Sequence, residues 1–408
     1  MLDPENVAGI SIEPAGGNFM TISRQLARHP WTRWGVPVAV AAVALGGTTL
    51  VTQLSANAAD QLPARSAAQL LVDVQSAADA VGSGTVVQKA DLGLPQMPSI
   101  GGAGSSSLTS LIAGNHTLRI WNGGVAKTRI ALMGTLGESD VIRNGRDVWI
   151  WSSGDNTATH RLLPLENATK SPTEAAAELG DVSTLTPQQV AEKALAAIDP
   201  TTKVSTAGAA KVAGRDAYEL VLEPKDTSSL IGQVRIAVDA KKHLPLRVQI
   251  FAKQASVAAV EVGFTQISFS PPSEAQFRFT PPPGVKLTEQ ESTSADQADK
   301  SSAAQALKDA GEPVITGKGW TAVVQAQSPA DAVNGSGAAE LGQFDQLLGV
   351  LPRKSGSWGS GRLLHSSLFN VLVTDSGRVL AGAVSPERLY ELAARPLPTS
   401  SDSLDPTK

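Results

Sequence analysis

No cysteine occurs anywhere in the 408 residues. That absence removes disulfides, thiol nucleophiles, thiolate metal sites and the acylated cysteine of a lipoprotein together. Basic residues are not in excess either: 34 Lys and Arg stand against 38 Asp and Glu, a formal charge of -4. Without a basic stripe the phosphate-neutralising footprint of a nucleic-acid binder is missing. The five histidines, His29, His116, His160, His243 and His365, include no H-E-x-x-H pair, so no metal site is expected. "GSWGSGR" at 356–362 lacks the G-x-x-x-x-G-K-[ST] spacing of a phosphate loop and reads as a glycine-rich turn before a hairpin. Ser366 and Ser367 lie beside His365, but G-x-S-x-G is missing and adjacent strand residues point to opposite faces. The expectation is a protein that is not an enzyme, with no catalytic residue and no cofactor.

What the chain does have begins with a leader. Arg24, Arg28 and Arg33 precede the uncharged stretch "VPVAVAAVALGGTTLVTQL" at 36–54. Residues 1–35 read as a leader on the cytoplasmic side, and 36–58 as a transmembrane segment or signal-peptide core. Ala56 and Ala58 offer an A-x-A site for cleavage before Ala59; an uncleaved anchor is the alternative. Either way the chain from about residue 60 is read as exported, outside the cell membrane.

The exported part, 42% of the whole chain being hydrophobic, opens with a helix. Leu70, Leu71, Val74, Ala77, Ala78 and Val81 recur at helical spacing behind Ser66, a suitable N-cap. A strand follows at "GTVVQKADLGLP", then a Gly- and Ser-rich loop at 96–107. From Leu118 the pattern alternates, and Asn122-Gly123 and Asn144-Gly145 between apolar runs predict type I′ hairpin turns. Thr186, Pro187 and Gln189 form a T-x-x-Q start for "PQQVAEKALAAID". Alternation resumes through Tyr218, Leu220 and Leu222, then Val234, Ile236 and Val238, then Leu246, Val248 and Ile250. Half-polar alternation with short turns predicts antiparallel strands with one face buried, in an α+β arrangement whose helices cover one sheet face. "FRF" at 277–279 reads as the last strand, and Pro281 to Pro283, which cannot donate to a ladder, are expected to let no further strand form.

Residues 289–303 read as a flexible linker to a small C-terminal α+β module at 304–395. In it "PVITGKGWTAVVQA" predicts a strand pair, Leu341, Phe344, Leu347, Leu348 and Leu351 a helical face, and Asp375 to Gly377 a hairpin turn. A last helix starts at Ser385 with Pro386 in its first position and ends before Pro396, leaving 396–408 as a disordered tail. Trp320 and Trp358 are expected to be packing or interface residues.

The turn Asp239 through Arg247, "D-x-K-x-x-L-P-L-R", and the ending "FRFTPPPGV" resemble the LolA lipoprotein-carrier superfamily, which includes the RseB/MucB type of envelope-stress regulator. The resemblance covers about residues 62 to 288, within a half-barrel domain read as 60–288. It implies a strongly curved antiparallel sheet, an incomplete β-barrel, closed by helices over an apolar cavity. It also implies acyl chains of lipids or lipoproteins as ligands, or a membrane-protein partner held by an RseB-like pair of domains. The candidate cavity residues are strand and helix positions with apolar same-face neighbours. Leu70 and Val74 come from the first helix, and Trp121, Trp149 and Trp151 from the first hairpins. Tyr218, Leu220, Val234, Ile236, Val248 and Ile250 come from the later strands, and Phe277 and Phe279 from the closing one.

Overall fold

The structure is a computed structural model that describes residues 62–76, 81–94, 114–135, 137–163, 186–196, 198–290, 313–327 and 349–397. The leader and apolar segment at 1–58, Ala77 and Ala78 of the first helical face, the loop at 96–107, most of the linker, the tail beyond 397 and four of the five residues of the 341–351 face lie outside them. Among the described residues no helix is long and apolar enough to cross a membrane.

Among the described residues the main body is one sheet of twelve strands. Strand β1 (Gly82–Ala90) stands at its centre. On one side lies the meander β2 (Gly114–Asn122), β3 (Lys127–Met133), β4 (Glu138–Asn144), β5 (Asp147–Ser152) and β6 (Thr157–Leu162). On the other lie β11 (Ala258–Ser268), β10 (Pro245–Ala252), β9 (Ile231–Asp239), β8 (Arg215–Pro224) and β7 (Thr202–Val212). Every one of these pairs is antiparallel. The sheet is curved but does not close: β7 comes back within contact of β11 although three strands separate them. In a flat sheet that separation would be about 19 Å.

Curvature changes what the alternation means. In β8 and β9 the second face is also buried, because the bend turns it inward: Val212, Ala217, Ala237 and Leu246 cluster there with Phe264 and Ile267 of β11. Glu219, on that same side, is buried and accepts from Arg247 Nη2 at 3.0 Å. The expected polar face is therefore partly an inner one.

Two helices lie on the first face. Helix α1 (Ala67–Ser76) starts on a capping box: Gln69 N donates to Ser66 Oγ and Ser66 N to Gln69 Oε1, at 3.3 and 2.9 Å. Helix α2 (Pro187–Ala196) starts the same way, with Gln189 N on Thr186 Oγ1 and Thr186 N on Gln189 Oε1, at 3.2 and 2.9 Å. Each is ten residues long. Among the described residues they cover part of the sheet, not the whole face that the resemblance led one to expect.

Two turn readings shift. Asn144 pairs with Asp147, so the tight turn is Gly145-Arg146, with Gly145 at φ 68. The Asn122 loop runs to Lys127 and its left-handed residue is Gly124 at φ 107. Gly123 is needed for a different reason: a Cβ there would lie 2.9 Å from the Phe277 ring.

The closing strand is a correction. Glu274–Phe277 is a 3-10 turn capped by Ser273, and residues 278–285 are in no strand. The prolines do end local pairing, but the chain re-enters the sheet as β12 (Lys286–Gln290), parallel to β6 at its free edge. Gly284 at φ 81 turns the chain, Asn156 Nδ2 donates to Gly284 O and Lys286 N to Asn156 O, at 2.9 and 3.0 Å. Three residues without a donor matter little where the next ladder begins beyond them.

A second sheet has six described strands in the order β13 (Val314–Thr316), β14 (Val323–Gln327), β18 (Arg378–Gly382), β17 (Asn370–Thr374), β16 (Gly359–His365), β15 (Arg353–Gly356). Helix α3 (Pro386–Ala393) seals one face, placing Leu389 and Leu392 on Val323, Leu363, Leu372 and Leu380. The strand pair at 314–327, the turn at 375–377 and the helix behind Ser385 stand where the sequence puts them. The two sheets touch: Leu230 N donates to Ala383 O and Ser367 N to Leu92 O, at 2.8 and 2.9 Å, around a cluster of Leu92, Ala259 and Leu368.

Candidate functional site

The helix-side face of the large sheet is one apolar cluster drawing on both meanders. Leu70 and Val74 of α1 and Val190 and Ala191 of α2 lie on Tyr218, Leu220, Val234, Ile236 and Val248, with Ile250 half-buried at the margin. Val86, Leu118, Ile120, Ile130 and Leu132 continue the same cluster across β1, β2 and β3. These last five are absent from the sequence-derived candidates, although their strict alternation carries the same signal as the later strands. Tyr218 is amphipathic in place: its ring joins the cluster and its Oη donates to Pro63 O at 2.9 Å. Beside it opens a cavity of about 390 Å³ lined by Leu62, Pro63, Arg65, Gly214, Arg215 and Tyr218 among others.

The remaining candidates lie on the opposite face. Ile120 pairs with Ile130 inside the cluster, so Trp121 and Arg129, one residue along, point the other way. The Trp121 ring lies under the guanidinium groups of Arg119 and Arg129, at 5.1 and 5.2 Å. Trp149 pairs with Ile142 and Trp151 with Asp140 on that side. Phe279 meets Trp149 at 5.2 Å and Trp151 at 6.0 Å, and His160 stacks on Trp149 at 4.2 Å. Phe277 is buried next to this aromatic patch, under Gly123. The thirteen residues thus fall into two groups on opposite faces: eight with the helices, and Trp121, Trp149, Trp151, Phe277 and Phe279 behind.

Charge is concentrated behind the sheet. Asp140 is fully buried, pairs with Arg129, and has one carboxylate oxygen without a hydrogen-bond partner. Burial pushes its carboxyl up to about 7, against the attraction of Arg129. His160 is bracketed by Glu289 of β12 on Nδ1 at 2.7 Å and Asp147 on Nε2 at 2.9 Å. Burial lowers its basicity, but the two carboxylates outweigh that and raise it above the usual imidazole value. Neither Asp140 nor Arg129 carried any sequence signal.

Asp239 opens the "D-x-K-x-x-L-P-L-R" turn and explains its shape. Its carboxylate accepts from Lys241 N and Lys242 N, at 3.0 and 2.6 Å, and pairs with Arg215. Burial works against the ionised form, and those bonds overcome it, so the carboxyl sits below its ordinary value. In the second sheet His365 Nδ1 is engaged by Asn370 Oδ1 at 2.7 Å and the Ser366 hydroxyl donates to Phe369 O, also at 2.7 Å. The two side chains form no nucleophile–base pair. Trp358 stacks on Tyr390 at 5.2 Å, a packing role, and the 356–362 stretch is not a turn ahead of a hairpin: Ser357-Trp358 turn between β15 and β16, and 359–362 belong to β16.

Residues 115–282 match the MucB/RseB N-terminal domain. Among curated proteins no match is found. MucB from the Pseudomonas aeruginosa MucA/MucB complex is 16% identical, with 82% of this chain and 99% of that one covered and a TM-score of 0.38. An uncharacterized conserved protein of Thermus thermophilus is 11% identical over 55% of this chain and 99% of its own, with a TM-score of 0.31. A LolA superfamily protein from Nitrosomonas europaea is 8% identical over 53% and 99%, with a TM-score of 0.21.

Proposed function

We propose, on the premise that the chain is of the LolA-like, RseB/MucB type and carries its N-terminal domain at residues 115–282, that it is an exported binding protein holding acyl chains of lipids or lipoproteins. The observation that carries this reading is the continuous apolar cluster between the large sheet and helices α1 and α2. Both helices are only ten residues long, so a ligand that parts them from the sheet displaces a small element and replaces its apolar contacts with its own. Each methylene laid on that surface gains roughly 0.8 kcal/mol, and a chain of about a dozen gains on the order of 10 kcal/mol before ordering and association are subtracted. Such binding is reversible and needs neither cofactor nor general base. Residues 60–288 form the binding unit, outside the cell membrane, to which the N-terminal segment joins it as an anchor or from which cleavage frees it. Purified from native membranes, extracted and analysed by mass spectrometry, the protein is expected to yield acyl-chain species and to bind a fluorescent fatty acid. A protein that does neither would sink the reading.

A second reading, a regulator that binds a membrane-protein partner through residues 304–395, has its own support. Leu364, Val371, Ala381, Val324 and Ile315 stand in register across five strands on the face away from α3. Val324 and Ile315 remain 43% and 44% exposed. Crosslinking in membranes is expected to recover a partner whose capture depends on this region; capture unaffected by its deletion would count against the reading.

A further inference from the structure

One side chain packed on the apolar cluster comes from the second sheet. Trp320 sits in the 3-10 turn Gly319–Thr321 between β13 and β14 of the second sheet. Its ring is partly buried against the cluster, and its Nε1 donates to Thr202 Oγ1, the first residue of β7, at 2.8 Å. The turn is fitted to that corner. Gly319 has φ 54, and a Cβ there would overlap Thr201 Oγ1 and come within 2.7 Å of Asp199 Oδ2. Asp199 in turn holds the corner, accepting from Thr201 N at 2.8 Å. On the far side Thr321 hydrogen-bonds Asp226, which helps hold that carboxyl below its ordinary value after the larger contribution of Ser228.

The corner 198–202 directly follows α2, whose Val190, Ala191 and Leu195 belong to the same cluster. The socket of Trp320 thus lies at the junction of α2 with β7, at the margin of the same apolar cluster. A chain entering the cluster also meets a side chain tethered through another sheet, which can leave without breaking the large sheet's own ladder.

We infer that Trp320 is an internal occupant of the apolar binding site, lent by the second sheet, so that loading of the site and docking of the Lys318–Thr321 turn exclude one another. The inference rests on the binding role given above and adds the residue that competes with the ligand. Because coupling between two binding events is reciprocal, removing the occupant strengthens ligand binding by the factor with which the ligand weakens docking.

The test uses the full chain, stripped of co-purified lipid, with a fluorescent long-chain fatty acid as probe. Trp320→Ala is expected to bind the probe roughly tenfold more tightly than the wild type, within the usual range for coupled sites. Thr202→Val, which removes the indole hydrogen bond and the longer 3.4 Å bond from Thr202 Oγ1 to Asp199 Oδ1 but keeps the ring, is expected to tighten binding by a smaller factor in the same direction. In the wild type the probe should accelerate amide hydrogen exchange over residues 314–327. Equal affinity in all three proteins with unchanged exchange overturns this inference and leaves the binding role standing. Weaker binding by both variants, with slower exchange on probe addition, also overturns it, since Trp320 would then be a wall that the ligand needs. No binding by any of the three removes both.

Discussion

Asp140 is where residue chemistry and stability meet most directly. A carboxyl whose folded value is raised to about 7 from 3.8 contributes stability below pH 4 that is lost as pH rises through 7. The full swing is at most ~4 kcal/mol. Urea unfolding of the wild type is expected to show stability falling between about pH 4 and pH 7, and Asp140→Asn to flatten that profile while keeping a neutral partner for Arg129. A profile unchanged by the substitution would contradict the assignment. His160 has the same sign on a smaller scale. Its raised basicity gives stability fully present below its ordinary 6.5 and lost as pH climbs past the raised value. Asp147 and Glu289 are more than half exposed, so solvent screening holds the effect under about 1 kcal/mol. His160→Gln should therefore cost little at pH 8 and somewhat more at pH 5.5. Trp149 fluorescence, quenched by a protonated imidazole stacked on it, reports the same titration.

At the scale of elements, the caps test the helices singly. Thr186→Ala removes one half of the α2 capping box and is expected to lower the urea midpoint by the equivalent of ~1 kcal/mol; a neutral result would mean that packing alone sets the start of α2. Phe277→Ala opens a space under Gly123 and beside the aromatic patch, with an expected loss of ~3–5 kcal/mol in the same assay. What the sequence made legible here was what local chemistry decides. The N-cap at Ser66, the capping box at Thr186, the turn at Asp375 to Gly377 and the strands around Val234 and Val248 all follow from side chains within a few residues of one another. "FRF" misled because its alternation is that of a strand, while Ser273 caps a turn that ends at Phe277. β12 was hidden behind three prolines because its partner β6 lies more than a hundred residues earlier, where no local pattern can announce it.

For the whole molecule, the curvature decided what parity could not. The alternation that exposes Trp149 and Trp151 on one strand face is identical in kind to that of Tyr218 and Leu220. Only the pairing of Ile120 with Ile130 and of Trp151 with Asp140 shows that the two sets lie on opposite sides. The aromatic patch and the helix-covered cluster should accordingly respond independently. Trp151→Ala is expected to leave fatty-acid affinity within about twofold, since sites without shared partners add, whereas Leu220→Glu on the helix side should abolish binding. Loss of binding in both variants would merge the two faces into one site.

The central place of β1 reaches beyond the folded state. Val87 pairs with Thr117 on one side and with Gly263 on the other. A chain delivered N-terminus first therefore presents β1 early, completes one flank within a few dozen residues, and keeps the other flank open until the second meander has been delivered. During that interval an unpaired central strand, bearing Val86 for the core, stands available to any passing strand. Productive folding thus depends on how soon the second meander reaches the open side of β1.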